Sequence, residues 1–429
     1  MEHSTDCIII GGGPAGLFCA IHTAEAGRSV VVLEKNETCG KKILLTGSGQ
    51  CNLTADGDIR EFLSRYGDHG RFLRPALLGF TNRDLIAFFE SRGCAMTVDE
   101  NGKVFPATRR ASDVRALLLD ECGAHGVDIR CGEAVQEGGV GEGGCVVETA
   151  ACRYTAKHLV IATGGASYPA TGSTGDGYRL AAGFGQPVTG IRPALTPVSI
   201  RHHPFSLLSG ISFEDVAVSL VREKKKIRRG RGDLLFTHRG LSGPVILNLS
   251  RYIAPGDLLE VSFLPDSDRA TLDADLAGTA SAHGARQVAT ALTAYGLPER
   301  FAGELVRLAG LPRDQTCAHL SKTARHALVG LVTACPFTVD SCGGFREAMV
   351  TAGGIDLDQV DPRTMESRIV PGLFFIGEVL DIDGDTGGYN LQAAFSTARA
   401  AAREMGSRGE IPPLTRRGRR SPPQWPGLW

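Results

Sequence analysis

The chain has 429 residues, which is enough for two or three domains with substantial hydrophobic cores. Hydrophobic residues make up 42% and charged residues 22% of it, proportions typical of a water-soluble globular protein. The formal net charge of −1 excludes a global attraction to nucleic acid or to an anionic membrane, and no apolar run is long enough to span a bilayer.

The N-terminus and the cysteines both indicate a cytoplasmic protein. The opening residues MEHSTD lack the basic region of a signal peptide and run directly into an apolar stretch. The 12 cysteines are scattered, and none has the C-x-x-C spacing of many metal and redox sites. We therefore expect a cytoplasmic location, reduced cysteines and no metal site.

The first stretch of the chain has the pattern of a strand, a glycine-rich turn and a helix. An apolar run over residues 7–10 predicts a buried strand, and Gly11, Gly13 and Gly16 follow in the G-x-G-x-x-G spacing. Pro14 suits the first turn of a helix. The three glycines permit a tight turn, close approach of a pyrophosphate and close helix–strand packing, while the helix N-terminus attracts phosphate.

A second strand and a polar loop follow this helix. Residues 30–33 are apolar and predict the strand, and Glu34 at its end is placed to accept hydrogen bonds from an adenosine ribose. The loop over residues 35–54 is rich in lysine, glycine, threonine and serine, so we expect it to face a ligand. The combined order of these elements predicts a dinucleotide site.

Two segments in the middle of the chain bear on this prediction. Residues 139–144 contain a second G-x-G-x-x-G, but strand-like sequences flank it and no helix pattern follows. Because the phosphate-binding mechanism needs a helix N-terminus, this match predicts a hairpin. Residues 157–163 predict another buried strand, and the small residues at 162–165 let the backbone pass close to a cofactor.

The sequence changes character from about Pro193. Strand patterns dominate residues 193–270, and residues 271–335 are rich in alanine and leucine and predict a small helical subdomain. The basic run at 224–231 is expected to be a solvated hairpin tip, with nucleic-acid binding as the alternative. His238 lies in a turn beyond this run and is a candidate for a structural or a catalytic role.

The last part of the chain repeats the order of the opening. Residues 374–376 predict a buried strand, Gly377 and Glu378 end it, and a glycine-rich turn leads into a helix that begins near Asn390. The N-terminus of such a helix can stabilise negative charge on a flavin ring. Residues 407–429 are rich in proline and arginine and are expected to be disordered.

Several longer motifs resemble one flavoprotein family. The chain looks like the bacterial and archaeal FAD-dependent oxidoreductases of the aminoacetone-oxidase-like type, relatives of flavoprotein enone reductases that act on bile acid intermediates. The motifs run in order from residue 9 to residue 398: IIGGGPAGL with LEKN, GKKILLTGSGQCN, ATGG, LLFTHRGLSGP, VTAGGI and GEVLDIDGDTGGYNLQAAFSTA. One departure is Gln50, where the family usually has arginine.

The resemblance implies an α/β fold with a Rossmann-like FAD-binding domain built from both chain ends. That domain would comprise 1–192 and 336–406, interrupted by a β-barrel-like module at 193–270 and the helical subdomain at 271–335. The residues implied in FAD binding are Gly11, Gly13, Pro14, Ala15, Gly16, Glu34, Lys35, Lys42, Thr46, Gly47, Asn52, Val135, Thr163, Gly164, Gly377, Glu378, Gly388, Tyr389, Asn390, Leu391 and Gln392.

The implied activity is that of an FAD-dependent oxidoreductase. Hydride would pass through the flavin N5 between NAD(P)H or an organic donor and a small enone-like acceptor or O₂. NAD(P)H would bind only transiently, because the second glycine pattern predicts a hairpin. The catalytic acid is left open among Tyr389, His238 and Asp383. The alternatives are an FAD-bearing, RNA-modifying protein that uses residues 224–231 and a plain NAD-dependent dehydrogenase.

Overall fold

The computed structural model describes residues 2–141 and 144–407. The chain divides into two structural units. The first unit comprises the chain up to Pro193 and again from Met349, and the second unit comprises Ala194–Ala348.

The elements are numbered in chain order. The strands are β1 Glu2–Ile10, β2 Val30–Glu34, β3 Thr54–Ala55, β4 Met96–Val98, β5 Lys103–Pro106, β6 Asp128–Cys131, β7 Val135–Gly141, β8 Gly144–Thr149, β9 Arg153–Ile161, β10 Arg192–Ala194, β11 Val198–Ile200, β12 Ser212–Arg222, β13 Lys225–Phe236, β14 Gly240–Ser242, β15 Leu258–Ser262, β16 Cys335–Cys342, β17 Val350–Ala352 and β18 Leu373–Phe375. The helices are α1 Pro14–Glu25, α2 Gly70–Gly79, α3 Asn82–Glu90, α4 Ala111–Ala124, α5 Asp176–Gly183, α6 Pro244–Ser250, α7 Arg269–Ala282, α8 Val288–Thr293, α9 Glu299–Leu308, α10 Lys322–Thr333 and α11 Tyr389–Ser407. Within the described ranges, no helix is long and apolar enough to cross a membrane.

The first unit is built on a largely parallel sheet. Strands β6, β2, β1 and β9 lie side by side in that order, and β18 pairs in parallel with the end of β9. Ile8 sits at the centre, opposite Val31 on one side and Leu159 on the other. All three side chains are buried, as expected for a parallel sheet that is covered on both faces. This arrangement confirms the predicted α/β class.

The second glycine pattern forms a hairpin, as predicted. Strands β7 and β8 pair antiparallel, with Gly139 opposite Val146, and β8 pairs in turn with β9. Residues 142 and 143 lie outside the described residues. Because β8 follows directly, these glycines form no strand-to-helix turn and provide no helix N-terminus for phosphate.

Helices α1 and α11 join the two ends of the chain. The face that α11 buries is mostly alanine, which lets the two helices pack closely, and Phe395 lies with its ring centroid 4.9 Å from that of Phe18. Helix α1 follows the glycine turn after β1, whereas α11 follows a longer segment after β18. The packing brings the N-termini of these two helices, far apart in sequence, to the lining of one cleft.

The second unit is a closed barrel with the strand order β11–β14–β13–β12–β15–β16. Helices α7 to α10 lie in the chain between β15 and β16, and they share one hydrophobic core with the barrel. For example, the rings of Phe263 and Phe301 lie 4.5 Å apart.

The limits of the insertion differ from those expected at 270/271 and 335/336. Strand β16 belongs to the barrel, since Phe337 pairs with Leu259 of β15, so the unit ends at Ala348. The shared core joins the barrel and the helices into one unit. At the C-terminus, Ser407 is the last residue of α11, and the expected disordered tail otherwise falls at 408–429, outside the described residues.

Candidate cofactor site

The turn between β1 and α1 and the first turn of α1 each contain a glycine that the protein itself requires. Gly11 has a φ of +106°, and its amide donates to the carbonyl of Leu33 (2.8 Å). A side chain at Gly11 would collide with the carbonyl of Ala162, and one at Gly16 would collide with the carbonyl of Gly11. These contacts leave room only for hydrogen at both positions.

Gly13 has no such reason to be a glycine. Its φ of −81° and ψ of −177° suit any residue, and no protein atom lies within 4 Å of the position that a Cβ would occupy. Gly13 is the N-cap of α1, and no side chain caps this helix. The site therefore offers free space beside unpaired helix N–H groups, which fits the pyrophosphate of a dinucleotide.

Glu34 holds the turn and the following loop together. Its Oε2 accepts from the amide of Gly12 (2.8 Å), and its Oε1 accepts from the backbone and side-chain nitrogens of Asn36 (2.8 and 2.7 Å). The residue is only 8% exposed. A carboxylate has about four acceptor positions. Three donors therefore leave about one position for the ribose contact that the sequence predicts.

An open cleft with about 1060 Å³ of space runs along this turn within the first unit. It brings together most of the residues implied in FAD binding: Gly11, Gly13, Pro14, Ala15, Glu34, Lys42, Thr46, Thr163, Gly164, Gly377, Glu378, Asn390 and Leu391. A second cleft adjoins it, shares Gly11, Glu34 and Thr163 with it, and is lined in addition by Lys35 and Val135.

The remaining predicted residues lie outside the lining of both clefts: Gly16, Gly47, Asn52, Gly388, Tyr389 and Gln392. Gly388 packs against the backbone of Thr54. The side chain of Gln392 is buried, where it accepts from Thr54 Oγ1 (2.7 Å) and donates to Ser396 Oγ (2.9 Å). These contacts hold the start of α11 in place, and direct binding of FAD by these residues stays a prediction.

An ion pair across the cleft joins distant parts of the chain. Lys42 Nζ lies 2.7 Å from Glu378 Oε2 and donates to Ser167 Oγ at the same distance. Glu378 Oε1 in turn accepts from Ser167 Oγ (2.8 Å) and from the amide of Thr351 (3.0 Å). Ser167 and Thr351 are not among the site residues predicted from the sequence, although Thr351 lies within the VTAGGI motif.

Removing one partner of this pair should destabilise the cleft. The two side chains are only about one fifth exposed (21% and 19%), so Glu378→Ala leaves a poorly solvated ammonium group and two donors without their acceptor. We expect a loss of about 2 kcal/mol in the free energy of unfolding. The double variant K42A/E378A should lose less unfolding free energy than the two single variants lose in total. Urea denaturation of the FAD-free protein measures these losses.

The surface pair Arg201–Asp340 provides the control for this measurement. Its two side chains are 56% and 57% exposed, so Arg201→Ala should change stability by less than about 0.5 kcal/mol. Additive effects at Lys42 and Glu378 would show that their close approach contributes nothing to the fold.

The three candidate proton donors lie in different surroundings. The ring of Tyr389 packs 4.9 Å from that of Phe62, and burial raises the pKa of its phenol above the usual value, which keeps it protonated at neutral pH. Asp383 is buried in the first unit, whereas His238 is exposed in the second unit. None of the three lines either cleft, so the geometry assigns no catalytic acid.

Comparison with known proteins gives a consistent family. Residues 5–404 match the family described as HI0933-like protein Rossmann domain. The ribosomal RNA dihydrouridine synthase of Escherichia coli (strain K12) is 35% identical over 405 residues, which cover 93% of this chain and 98% of that protein. The 3-dehydro-bile acid delta(4,6)-reductase of Clostridium scindens is 30% identical over 408 residues, which cover 93% of this chain and 98% of that protein.

Solved structures agree at the level of the fold. The 3-ketosteroid-delta4-(5alpha)-dehydrogenase of Rhodococcus jostii RHA1 aligns with 95% of this chain and 97% of its own, with a TM-score of 0.51 and 16% identity. The family match and the reductase relative support the predicted class of FAD-dependent oxidoreductases, while the aminoacetone-oxidase-like subtype stays a prediction. The chain belongs to the HI0933-like family and carries its FAD-binding Rossmann domain.

Proposed function

We propose that this protein is an FAD-dependent reductase that saturates a carbon–carbon double bond conjugated to a carbonyl group, and that its substrate is a uridine of ribosomal RNA. The observation that carries the proposal is the likeness to the E. coli ribosomal RNA dihydrouridine synthase over nearly the whole length of both chains. The corresponding protein of Haemophilus influenzae is 34% identical over 409 residues.

The chemistry named for the relatives supports one reaction class. Dihydrouridine is uridine with its ring C5=C6 bond reduced, and that bond is conjugated to a ring carbonyl. A 3-dehydro bile acid with delta(4,6) unsaturation likewise has double bonds conjugated to its 3-oxo group. The bile acid is a small enone-like acceptor of the kind that the sequence predicts for this chain, whereas a uridine of RNA corresponds to the RNA-modifying alternative. A small-molecule enone is therefore the second candidate substrate.

The residues of the cleft have distinct roles in this proposal. The N-terminus of α1 beside Gly13 would hold the pyrophosphate of FAD, and Glu34 would bind the ribose. The start of α11, at Asn390 and Leu391, and the Lys42–Glu378 pair would bind the flavin half. When bound, FAD would supply hydride chemistry at N5, and the protein would orient the substrate and exclude water. We further propose NAD(P)H as the electron donor.

The proposal is tested with the purified holoprotein. It should be yellow, with absorbance near roughly 450 nm that NADH or NADPH bleaches under anaerobic conditions. An unmodified ribosomal RNA transcript should then restore the absorbance and gain dihydrouridine, measured by mass spectrometry of its nucleosides. The control acceptor is a small cyclic enone.

Different results would contradict different parts of the proposal. Reoxidation by the small enone without any dihydrouridine in the RNA would favour the second candidate substrate. A flavin that neither nicotinamide reduces would exclude NAD(P)H as the donor. A colourless protein that binds NAD alone would exclude the flavoenzyme class altogether.

A further inference from the structure

The hairpin of β12 and β13 in the second unit concentrates positive charge. Residues 222–231 contain seven cations and one anion, Glu223, which gives a net charge of +6. Because the whole chain carries −1, all its other residues together carry −7. All seven cations are exposed. The hairpin is therefore a local basic surface on a chain that is otherwise acidic.

The tip of this hairpin is a tight turn formed by two charged residues in a strained backbone conformation. Arg222 pairs with Lys225, so Glu223 and Lys224 form a two-residue turn, with φ values of +49° and +63°. Such turns favour Asn-Gly or Gly-Gly, because L residues with side chains adopt this conformation at a cost of order 1 kcal/mol. A glycine at Lys224 would relieve that strain but would remove a charge from the tip.

The structure separates these cations into two groups. Arg222 pairs with Asp257 (2.8 Å), Arg231 pairs with two aspartates (2.6 and 2.7 Å), and Lys226 lies 3.7 Å from Glu260. These three cations therefore already have carboxylate partners within the second unit.

The other four have no carboxylate partner among the residues that the structure describes. Arg228 lies over the ring of Tyr252, 3.8 Å from its centroid. In the described part of the chain, Lys224, Lys225 and Arg229 have neither a carboxylate nor an aromatic ring as a partner. They can therefore bind an external anion.

We propose that Lys224, Lys225 and Arg229 form a docking surface for the phosphate backbone of the RNA substrate, an inference that rests on the proposed function. The compact basic ribbon fits a polyanion. A membrane surface would need more apolar contact than the one exposed side chain of the run, Ile227, provides. Since the aromatic face of Tyr252 is already covered, the surface contributes affinity through charge and does not read bases.

The test compares two triple variants of the full-length holoprotein in binding to an unmodified ribosomal RNA transcript. K224A/K225A/R229A removes the unpaired cations, and R313A/K322A/R363A removes the same charge from exposed positions elsewhere. For three single-strand phosphate contacts, the slope of log K against log salt should fall by about 2, and affinity near 0.1 M salt should fall on the order of a hundredfold. The control triple variant should bind like the wild type.

The readouts distinguish this inference from the proposed function. The hairpin variant should keep its bound FAD and its bleaching by NAD(P)H, while dihydrouridine formation at low RNA concentration falls. Loss of RNA binding in a protein that forms no dihydrouridine would refute the proposed function and support the docking surface.

Three other results would overturn the docking surface. One is equal RNA binding by the wild type and the hairpin variant, and another is equal loss in both triple variants. The third is a variant that loses binding only to vesicles of anionic lipid while its RNA binding stays unchanged.

Discussion

Gly16→Ala should destabilise the FAD-free protein by about 3 kcal/mol, whereas Gly13→Ala should change its stability by no more than about 0.5 kcal/mol. A methyl group at Gly16 would strike the backbone carbonyl of Gly11, and neither α1 nor β1 can move without disturbing a fully buried core. A methyl group at Gly13 meets no protein atom. Chemical denaturation of both variants without FAD measures the difference.

Gly13→Ala should weaken FAD binding, even though it leaves the stability of the FAD-free protein almost unchanged. Gly13→Ala places a methyl group where the pyrophosphate is expected, so the affinity of a well-folded protein should fall by roughly tenfold or more. Fluorescence titration of the deflavinated protein with FAD provides the measurement. Wild-type affinity in Gly13→Ala would show that the pyrophosphate does not bind at this turn.

Glu34→Ala should cost about 3 kcal/mol of stability and also weaken FAD binding. The change removes the acceptor of the amides of Gly12 and Asn36, and each buried donor left unpaired costs about 1–3 kcal/mol. Glu34→Gln should recover part of this loss, because its amide oxygen still accepts while its NH₂ group faces a donor.

Glu37 provides a matched control for this experiment, because it lies in the loop directly after β2 and has an exposed side chain. Glu37→Ala should change stability by less than about 0.5 kcal/mol. If Glu34→Ala retains full stability and loses only FAD affinity, the carboxylate serves the cofactor alone and the hydrogen bonds to the turn contribute little.

The opening βαβ unit was predictable because its determinants are local. Strand, turn, helix and second strand follow one another within the residues up to Glu34, and each depends on a short-range property such as apolar periodicity or the absence of a side chain. The same reasoning correctly rejected the second glycine pattern, since the sequence after Gly144 has strand character. Local patterns also placed β18 and the start of α11 to within one residue.

Contacts between distant segments were not predictable in this way. Lys42 and Glu378 were both proposed as cofactor residues, but their pairing through Ser167 depends on packing three separate segments together. The closing of the barrel by β16 after a long helical insertion was missed for the same reason. In β13, the pattern of charges alone did not distinguish Arg231, which pairs with two aspartates, from Lys225 and Arg229, which have no carboxylate partner among the described residues.

The sequence by itself therefore determined the FAD-type turn, the α/β class and the family motifs of this protein, because backbone conformation and helix or strand periodicity are properties of neighbouring residues. The tertiary structure decided which predicted residues line the cleft and which only support it, as with Asn390 and Gln392 at the start of α11. The direction in which each of these side chains points depends on how α11 packs against β3 and α1. That packing comes from burying apolar surface contributed by both ends of the chain.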